Sequence, residues 1–206
     1  TFDQITLTPK EATVYSTYTK KLLRQSSPSV EMAVRQDLNN AISELVEEKG
    51  IDGDGVTEPT GILTAAGTVT ALYPETGAAW QNILNFEAAM DAAHALRGNL
   101  GVLTSLEQKA ILKATPQITN SHPFIWESNS TVNGMQAIGT SFMDNTENQR
   151  VIQANWDDHL ICMWSGIDIV IDSVSQAALR LIDFHAVFMI DMNIRIPESF
   201  VLDDDG

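Results

Sequence analysis

The residues of this chain that could do chemistry are first of all the acidic side chains of a glycine-rich loop, Asp52, Asp54 and Glu58. Oxygen ligands at alternate positions suit Ca²⁺, but the calcium-binding loop also needs glycine at its sixth position and glutamate at its twelfth. Counted from Asp52, those positions hold Thr57 and Leu63. Glu58 also stands where a dinucleotide-binding loop has its third glycine. A plain glycine turn is the favoured interpretation, and a small metal-dependent enzyme that uses the acidic residues is kept as an alternative.

Histidine and cysteine do not form a metal-ligand pattern. Only His159 and Cys162 have a ligand-like separation, and one such pair falls short of the four ligands of a structural zinc site. The other histidines, His94, His122 and His185, lie far from this pair in the sequence. The sequence therefore predicts no metal site and no bound cofactor.

Nucleophilic and acid–base chemistry also lack a recognisable arrangement. Ser165 precedes a glycine, but Met163 occupies the position of the first glycine of a nucleophile elbow. Carboxylates that could act as acid and base occur at Asp157-Asp158 and at Asp168 and Asp172, but nothing in the sequence places them in one cleft. We interpret these carboxylates as solvated surface, so we predict no catalytic residue and no enzyme activity.

The composition describes a globular protein with an anionic surface. The chain has 206 residues, of which 44% are hydrophobic, enough to build a core. Its formal charge of -15 repels phosphate backbones and disfavours sequence-independent binding to nucleic acid. No apolar run reaches about 18 residues, so no membrane span is predicted, and Thr1 does not open a signal peptide. The single cysteine excludes an internal disulfide and favours a reducing compartment.

The clearest element is a long helix over residues 28–49. Ser27-Pro28 supplies a capping hydroxyl and a proline at the first helical position, and Gly50 would end the helix. The length corresponds to about 33 Å. Its apolar residues recur at intervals of three and four: Val30, Val34, Leu38, Ala41, Ile42 and Leu45.

Shorter elements follow this helix. A second helix is predicted over 79–97, and a third begins at a capping box, either Thr104 with Glu107 or Ser105 with Gln108, and runs to about Lys113. Residues 5–19 favour strands, and 115–150 favour a long polar loop with short strands near 124–126 and 135–142.

The C-terminal third contains a predicted strand of unusual length. Apolar residues alternate without a break over 184–196, which would extend about 43 Å, roughly twice the usual length. A helix and a strand that both exceed a compact core favour an elongated module beside a more globular one, in an α+β protein.

The order of these features resembles that of tailed-phage and prophage major capsid proteins, whose Hong Kong 97-type fold is also used by encapsulin shells. The most specific similarity runs from Tyr18 through the segment TKKLLRQSSPSVE and the long helix to Gly53-Asp54-Gly55 and Pro59-Thr60-Gly61-Ile62-Leu63. A second similar segment is WSGIDI at 164–169, and a third is DMNIRIPESF at 191–200.

The resemblance implies a globular A domain and an elongated P domain. Residues 1–63 would belong to the P domain with the spine helix at 28–49, residues 64–165 to the A domain, and residues 166–206 to the returning P domain with the long C-terminal strand. Family members usually have a delta region, an N-arm and an E-loop before the spine helix. The chain is therefore expected to be a fragment that lacks most of these, and no isopeptide cross-linking lysine can be assigned. Many members also have proline where this chain has Gln136.

The function implied is that of a structural subunit of an icosahedral capsid, which self-assembles into hexamers and pentamers that enclose DNA. The implied partners are copies of the chain itself, with a scaffolding protein, a portal and a maturation protease as further partners, and DNA contacted only non-specifically. The implied location is the virion capsid, assembled in the bacterial host cytoplasm, with no membrane contact. An encapsulin-type shell that encloses an enzyme cargo is the alternative.

Overall fold

The computed structural model describes residues 4–25, 29–72, 80–118, 123–143, 151–164 and 166–204. Three single turns of 3-10 helix, Trp156–Asp158, Ala177–Leu179 and Pro197–Ser199, accompany the regular elements. In chain order, those elements are β1 (Lys10–Thr19), α1 (Lys20–Gln25), α2 (Ser29–Asp52), β2 (Val69–Leu72), α3 (Trp80–Ala92), β3 (Leu100–Ser105), α4 (Leu106–Ala114), β4 (Thr131–Val132), β5 (Met135–Thr140), β6 (Val151–Asn155), β7 (His159–Met163), β8 (Asp168–Asp172), β9 (Leu181–Ile194) and β10 (Phe200–Asp204).

The chain divides into two compact units. Unit 1 consists of Thr1–Thr60 and Ile161–Met192, and unit 2 consists of Gly61–Leu160 and Asn193–Gly206. The C-terminal strand β10 lies in unit 2, because it pairs in parallel with β2 and antiparallel with β6, which are strands of that unit.

Unit 1 is a helix packed on a sheet. The sheet has the order β1-β9-β7, with β8 also paired to β9, and β1 runs antiparallel to β9 from Lys10 opposite Ile190 to Thr19 opposite Leu181. The core lies between α2 and this sheet, where Val34, Leu38 and Ile42 pack against alternate residues of β9. Those residues are Phe184, Ala186, Phe188, Ile190 and Met192.

The predicted long helix corresponds to α2, and its predicted end was wrong. Gly50 lies buried inside the helix rather than after it. The helix ends at Asp52, and the Gly53 N–H still donates to Lys49 O at 3.0 Å. Gly53 lies so close to Pro59 O that a side chain at this position would collide with it. The predicted cap at Ser27-Pro28 lies outside the described residues.

Unit 2 is built on a six-stranded mixed sheet of order β2-β10-β6-β3-β5-β4. Ile83, Phe86 and Met90 of α3 are buried in its core. The predicted second helix was too long, because α3 ends where His94 takes a left-handed conformation (φ 55°) and Ala95 N–H donates to Met90 O at 2.9 Å.

The N-terminus of α4 follows one of the two predicted capping patterns. The Ser105 hydroxyl accepts a hydrogen bond from the Gln108 N–H at 3.1 Å, so the cap is Ser105 rather than Thr104. The predicted strand near 135–142 is β5, and near 124–126 the chain forms isolated bridges at Phe124 and Trp126.

Candidate functional site

The acidic loop after α2 uses its main carboxylate to hold its own backbone. Asp54 accepts hydrogen bonds from the backbone N–H groups of Val56, Thr57 and Glu58 at 2.8, 2.9 and 2.8 Å, and from the Thr57 hydroxyl at 2.7 Å. The Thr57 hydroxyl, followed by these N–H groups, holds the pKa of Asp54 well below its usual value. The carboxylate therefore acts as the cap of a turn.

The other acidic residues of this loop do not join Asp54 in a metal site. Glu58 pairs with Lys49, whose Nζ lies 3.0 Å from Glu58 Oε1 and 3.1 Å from Glu48 Oε1. The hydrogen bond to Glu58, followed by that to Glu48, raises the pKa of Lys49. Asp52 is exposed. Among the described residues, no group of three His, Cys, Asp or Glu side chains could hold a metal ion, so the metal-dependent alternative has no geometric support there.

Asp157-Asp158 is a structural pair. Asp158 is fully buried and accepts hydrogen bonds from Arg195 Nε at 2.8 Å, from Arg195 Nη2 at 2.5 Å and from Asn155 Nδ2 at 3.0 Å. Asp157 accepts a hydrogen bond from the Asn99 N–H at 3.1 Å. Both carboxylates therefore organise the loops at the end of β6 in unit 2.

Asp172 likewise closes a turn. It accepts hydrogen bonds from the Val174 and Ser175 N–H groups at 2.8 and 3.0 Å and from the Ser175 hydroxyl. These donors, the Ser175 hydroxyl first, lower the pKa of Asp172 to about 2. Asp168 is exposed at the start of β8. Ser165 and His122 lie outside the described residues.

His159 is held among aromatic rings. Its ring centroid lies 6.5 Å from that of Trp156 and 6.3 Å from that of Phe200. Nε2 is buried without a hydrogen-bond partner, and burial lowers the pKa of the imidazole. Cys162 is a half-buried free thiol. His159 and Cys162, whose separation in the sequence is ligand-like, are thus not part of a metal-binding group among the described residues.

What unit 1 does present is exposed apolar surface. The turn between β8 and β9 carries Val174 and Leu179, which are 77% and 71% exposed, and Tyr15 on β1 is 72% exposed. Sequence analysis did not single out these residues, although apolar residues in a turn are a usable signal.

A cavity of about 170 Å³ opens elsewhere in unit 1, between the C-terminal half of α2 and the β1–β9 pair. Lys10, Lys49 and Glu58 stand among its polar lining residues. Its apolar lining residues include Phe188, Ile190 and Met192 of β9. The functional geometry of the described chain is therefore one of surfaces and a pocket rather than of a catalytic cluster.

A comparison with models of protein families shows to which family this chain belongs. The model of the Phage capsid family matches residues 1–204. The chain belongs to the phage capsid family. This confirms the resemblance to tailed-phage capsid proteins that was drawn from the three sequence segments.

A curated member of similar sequence is the major capsid protein of Halomonas phage phiHAP-1. It is 24% identical over 200 residues, which make up 97% of this chain and 32% of that protein. The chain thus spans about a third of the length of this curated relative.

Solved structures confirm the predicted Hong Kong 97-type α+β fold. The capsid of an empty GTA particle matches with a TM-score of 0.75 at 17% identity, covering 98% of this chain and 73% of that one. A chain from Gordonia phage Cozz gives 0.68 at 12% identity, covering 96% and 70%. An encapsulin complex from Synechococcus elongatus PCC 7942 gives 0.61 at 9% identity, covering 96% and 74%. Among the described residues, no helix is long and apolar enough to cross a membrane.

Proposed function

We propose that the chain is the shell-forming part of a phage or prophage major capsid protein, which associates with copies of itself into the hexamers and pentamers of an icosahedral capsid. The observation that carries this proposal is the family match over residues 1–204. The similarity to a major capsid protein across 97% of the chain supports it.

Within this function, unit 1 would serve as the P domain and unit 2 as the A domain. The support is that α2 and β9, the long elements expected of a P domain, pack on each other in unit 1. The sequence-based boundaries at 63/64 and 165/166 fall within a few residues of the divisions at Thr60/Gly61 and Leu160/Ile161. The C-terminal segment from Asn193 would then belong with the A domain.

The role is structural and not enzymatic. The support is that Asp54, Asp158 and Asp172 each use their carboxylates to hold neighbouring groups, which leaves them no part in acid–base chemistry. A scaffolding protein, a portal and a maturation protease would be transient partners during assembly in the host cytoplasm. Any contact with packaged DNA would be non-specific and weak, because a formal charge of -15 repels phosphate backbones.

A second candidate function is that of an encapsulin-type shell, which the structural similarity to an encapsulin complex favours. The two candidates differ in what the shell encloses. Particles purified from cells that express the whole protein are analysed for nucleic acid and, by mass spectrometry, for co-purifying enzymes. We expect shells without a stoichiometric enzyme. A single enzyme present at constant ratio to the shell protein would overturn the capsid proposal in favour of the encapsulin.

A further inference from the structure

The hairpin that joins β4 to β5 in unit 2 turns through an asparagine followed by a glycine. Val132 pairs with Met135, so Asn133 and Gly134 are the two central residues of the turn. Both have positive φ, 51° and 74°, as the central residues of a type I′ turn do. Asparagine followed by glycine is the sequence that adopts this turn most readily. The local sequence therefore explains why the chain reverses here.

The side chain of Asn133 links this turn to a helix. Its Nδ2 donates to Glu87 Oε2 of α3 at 2.6 Å, and both side chains are half-buried. Because the acceptor is a carboxylate, the hydrogen bond is of the stronger, charge-assisted kind. Phe86 of α3 and Val132 of β4 are buried in the same core cluster. The amide of Asn133 therefore adds a polar link between the hairpin and α3 to the apolar contact of the two elements.

The glycine that follows Asn133 leaves room for a reaction between the two residues. An asparagine that precedes a glycine cyclises readily, because glycine has no side chain to obstruct attack by its own nitrogen. Gly134 is exposed, and apart from the adjoining residues no atom of the described chain lies within 4 Å of the place where a Cβ would stand. Glycine also allows the backbone rotation that ring closure needs. The turn thus has space for a succinimide ring and for water to reach it.

We propose that Asn133-Gly134 is a site of spontaneous deamidation, and that Glu87 repels the carboxylate formed there and so releases the hairpin from α3. The Gly134 nitrogen first bonds to Asn133 Cγ, the Cγ–Nδ2 bond breaks, and Nδ2 leaves as ammonia with the proton that the Gly134 nitrogen loses. Water then opens the succinimide, giving its oxygen to the new carboxylate and a proton to the Gly134 nitrogen. Cleavage between this nitrogen and Cγ gives aspartate, and cleavage between it and the main-chain carbonyl carbon of residue 133 gives isoaspartate.

Either product reverses the contact with Glu87. A second carboxylate then occupies the place of the donor, and like charges at hydrogen-bond distance repel each other. Isoaspartate also carries the main chain through its side-chain carbon, which adds an atom to a turn that has two residues between the paired Val132 and Met135. The type I′ geometry depends on that loop length. The modification is therefore a one-way change of the hairpin that accumulates with the age of the molecule.

The reaction itself is tested on the folded wild-type chain. The protein is incubated at neutral pH and sampled over time, and liquid chromatography with mass spectrometry separates the asparagine, aspartate and isoaspartate forms of each peptide. Asn129, which is exposed in the preceding loop and is followed by serine, is the internal comparison. We expect position 133 to lose its amide progressively, with both products present, over a period in which Asn129 stays intact. Equal retention of the amide at both positions overturns the assignment of the site.

The effect of the product is tested with Asn133→Asp. Aspartate tolerates a left-handed φ as asparagine does, so the variant changes the contact with Glu87 and leaves the backbone conformation accessible. It is expected to lower the melting temperature by roughly 2–4 °C, which corresponds to the loss of one hydrogen bond in a chain of this length. Asn129→Asp adds the same charge outside this contact and is expected to leave the melting temperature unchanged.

An exchange of the two groups gives the sharper test of the role of Glu87. Glu87→Gln combined with Asn133→Asp again places an amide donor opposite a carboxylate, so the double variant is expected to recover the melting temperature that Asn133→Asp loses. An Asn133→Asp variant as stable as the wild type, or a double variant without recovery, overturns the proposed release of the hairpin. Neither measurement requires assembly of copies, so both outcomes are independent of the proposed shell function.

Discussion

The carboxylate of Asp158 is completely buried and depends on one cation. Arg195 approaches it through Nε and Nη2, and Asn155 supplies one further hydrogen bond. Burying a carboxylate is unfavourable unless hydrogen bonds replace those it made with water. The Asp158–Arg195 pair therefore stabilises the surrounding loops mainly because Arg195 compensates the buried charge of Asp158.

Removing the cation tests this dependence. Arg195→Met leaves the Asp158 carboxylate buried with Asn155 as its remaining side-chain donor, and we expect the free energy of unfolding to fall by about 2 kcal/mol. Urea denaturation followed by circular dichroism measures the change. Arg97→Met, which alters an exposed arginine of the same unit, is expected to change it by less than about 0.5 kcal/mol. Equal effects of the two substitutions would contradict the role given to Asp158.

The imidazole of His159 makes the stability of unit 2 sensitive to acid. Burial lowers its pKa from the usual 6.5, so below that pH the unfolded chain binds a proton more readily than the folded chain. Stability is therefore unaffected by this group above about pH 6.5 and falls as the pH drops below it. We expect His159→Phe to reduce the loss of melting temperature between about pH 7 and pH 5.

The control for this experiment is His94→Asn, which removes an exposed histidine at a left-handed position that asparagine tolerates. It is expected to leave the pH dependence of the melting temperature unchanged. An identical pH dependence in the wild type and in His159→Phe would show that the buried imidazole does not carry the effect.

At the scale of elements, α2 is stabilised by the face that it turns to the sheet. Leu38 is 1% exposed and packs among the buried residues of β9, whereas Met32 on the same helix is 73% exposed. We expect Leu38→Ala to lower the free energy of unfolding by about 3 kcal/mol, because it leaves a cavity in the core of unit 1.

Met32→Ala serves as the matched control and is expected to change the free energy of unfolding by less than about 0.5 kcal/mol. Urea denaturation of both variants gives the comparison. A loss from Leu38→Ala no larger than that from Met32→Ala would contradict the assignment of α2 as the core-forming helix of unit 1.

The elements that sequence patterns predicted well are those whose cause is local. The apolar spacing of α2 and the alternation of β9 arise from burial of one face, which repeats at the period of the element. The Ser105 cap is equally local. The need for glycine at position 53 could not be predicted, because it arises from the approach of Gly53 to Pro59, which only the folded loop creates.

Long-range pairing accounts for the remaining differences. The parallel pairing of β10 with β2 joins segments more than 100 residues apart, and no local pattern records it. The exposed turn between β8 and β9 was also missed, because the exposure of Leu179 depends on what the rest of unit 1 leaves uncovered. For the acidic loop, the failed spacings favoured a plain turn, and the structure shows which groups donate hydrogen bonds to Asp54 in that turn.

At the scale of the whole molecule, association must overcome the repulsion between copies that each carry a formal charge of -15. Two kinds of contact can do so: apolar surface removed from water, and local pairs of opposite charge within a net anionic protein. Unit 1 offers the first kind, in the exposed apolar side chains of the turn between β8 and β9. Membership of the phage capsid family agrees with a molecule whose exposed features suit contact with other copies.

Electron microscopy of the whole protein under assembly conditions tests the central claim most directly. We expect closed shells built from repeated copies of the chain, into which unit 1 and unit 2 can each be placed as folded bodies. The result that would contradict the account is a protein that remains strictly monomeric under every assembly condition.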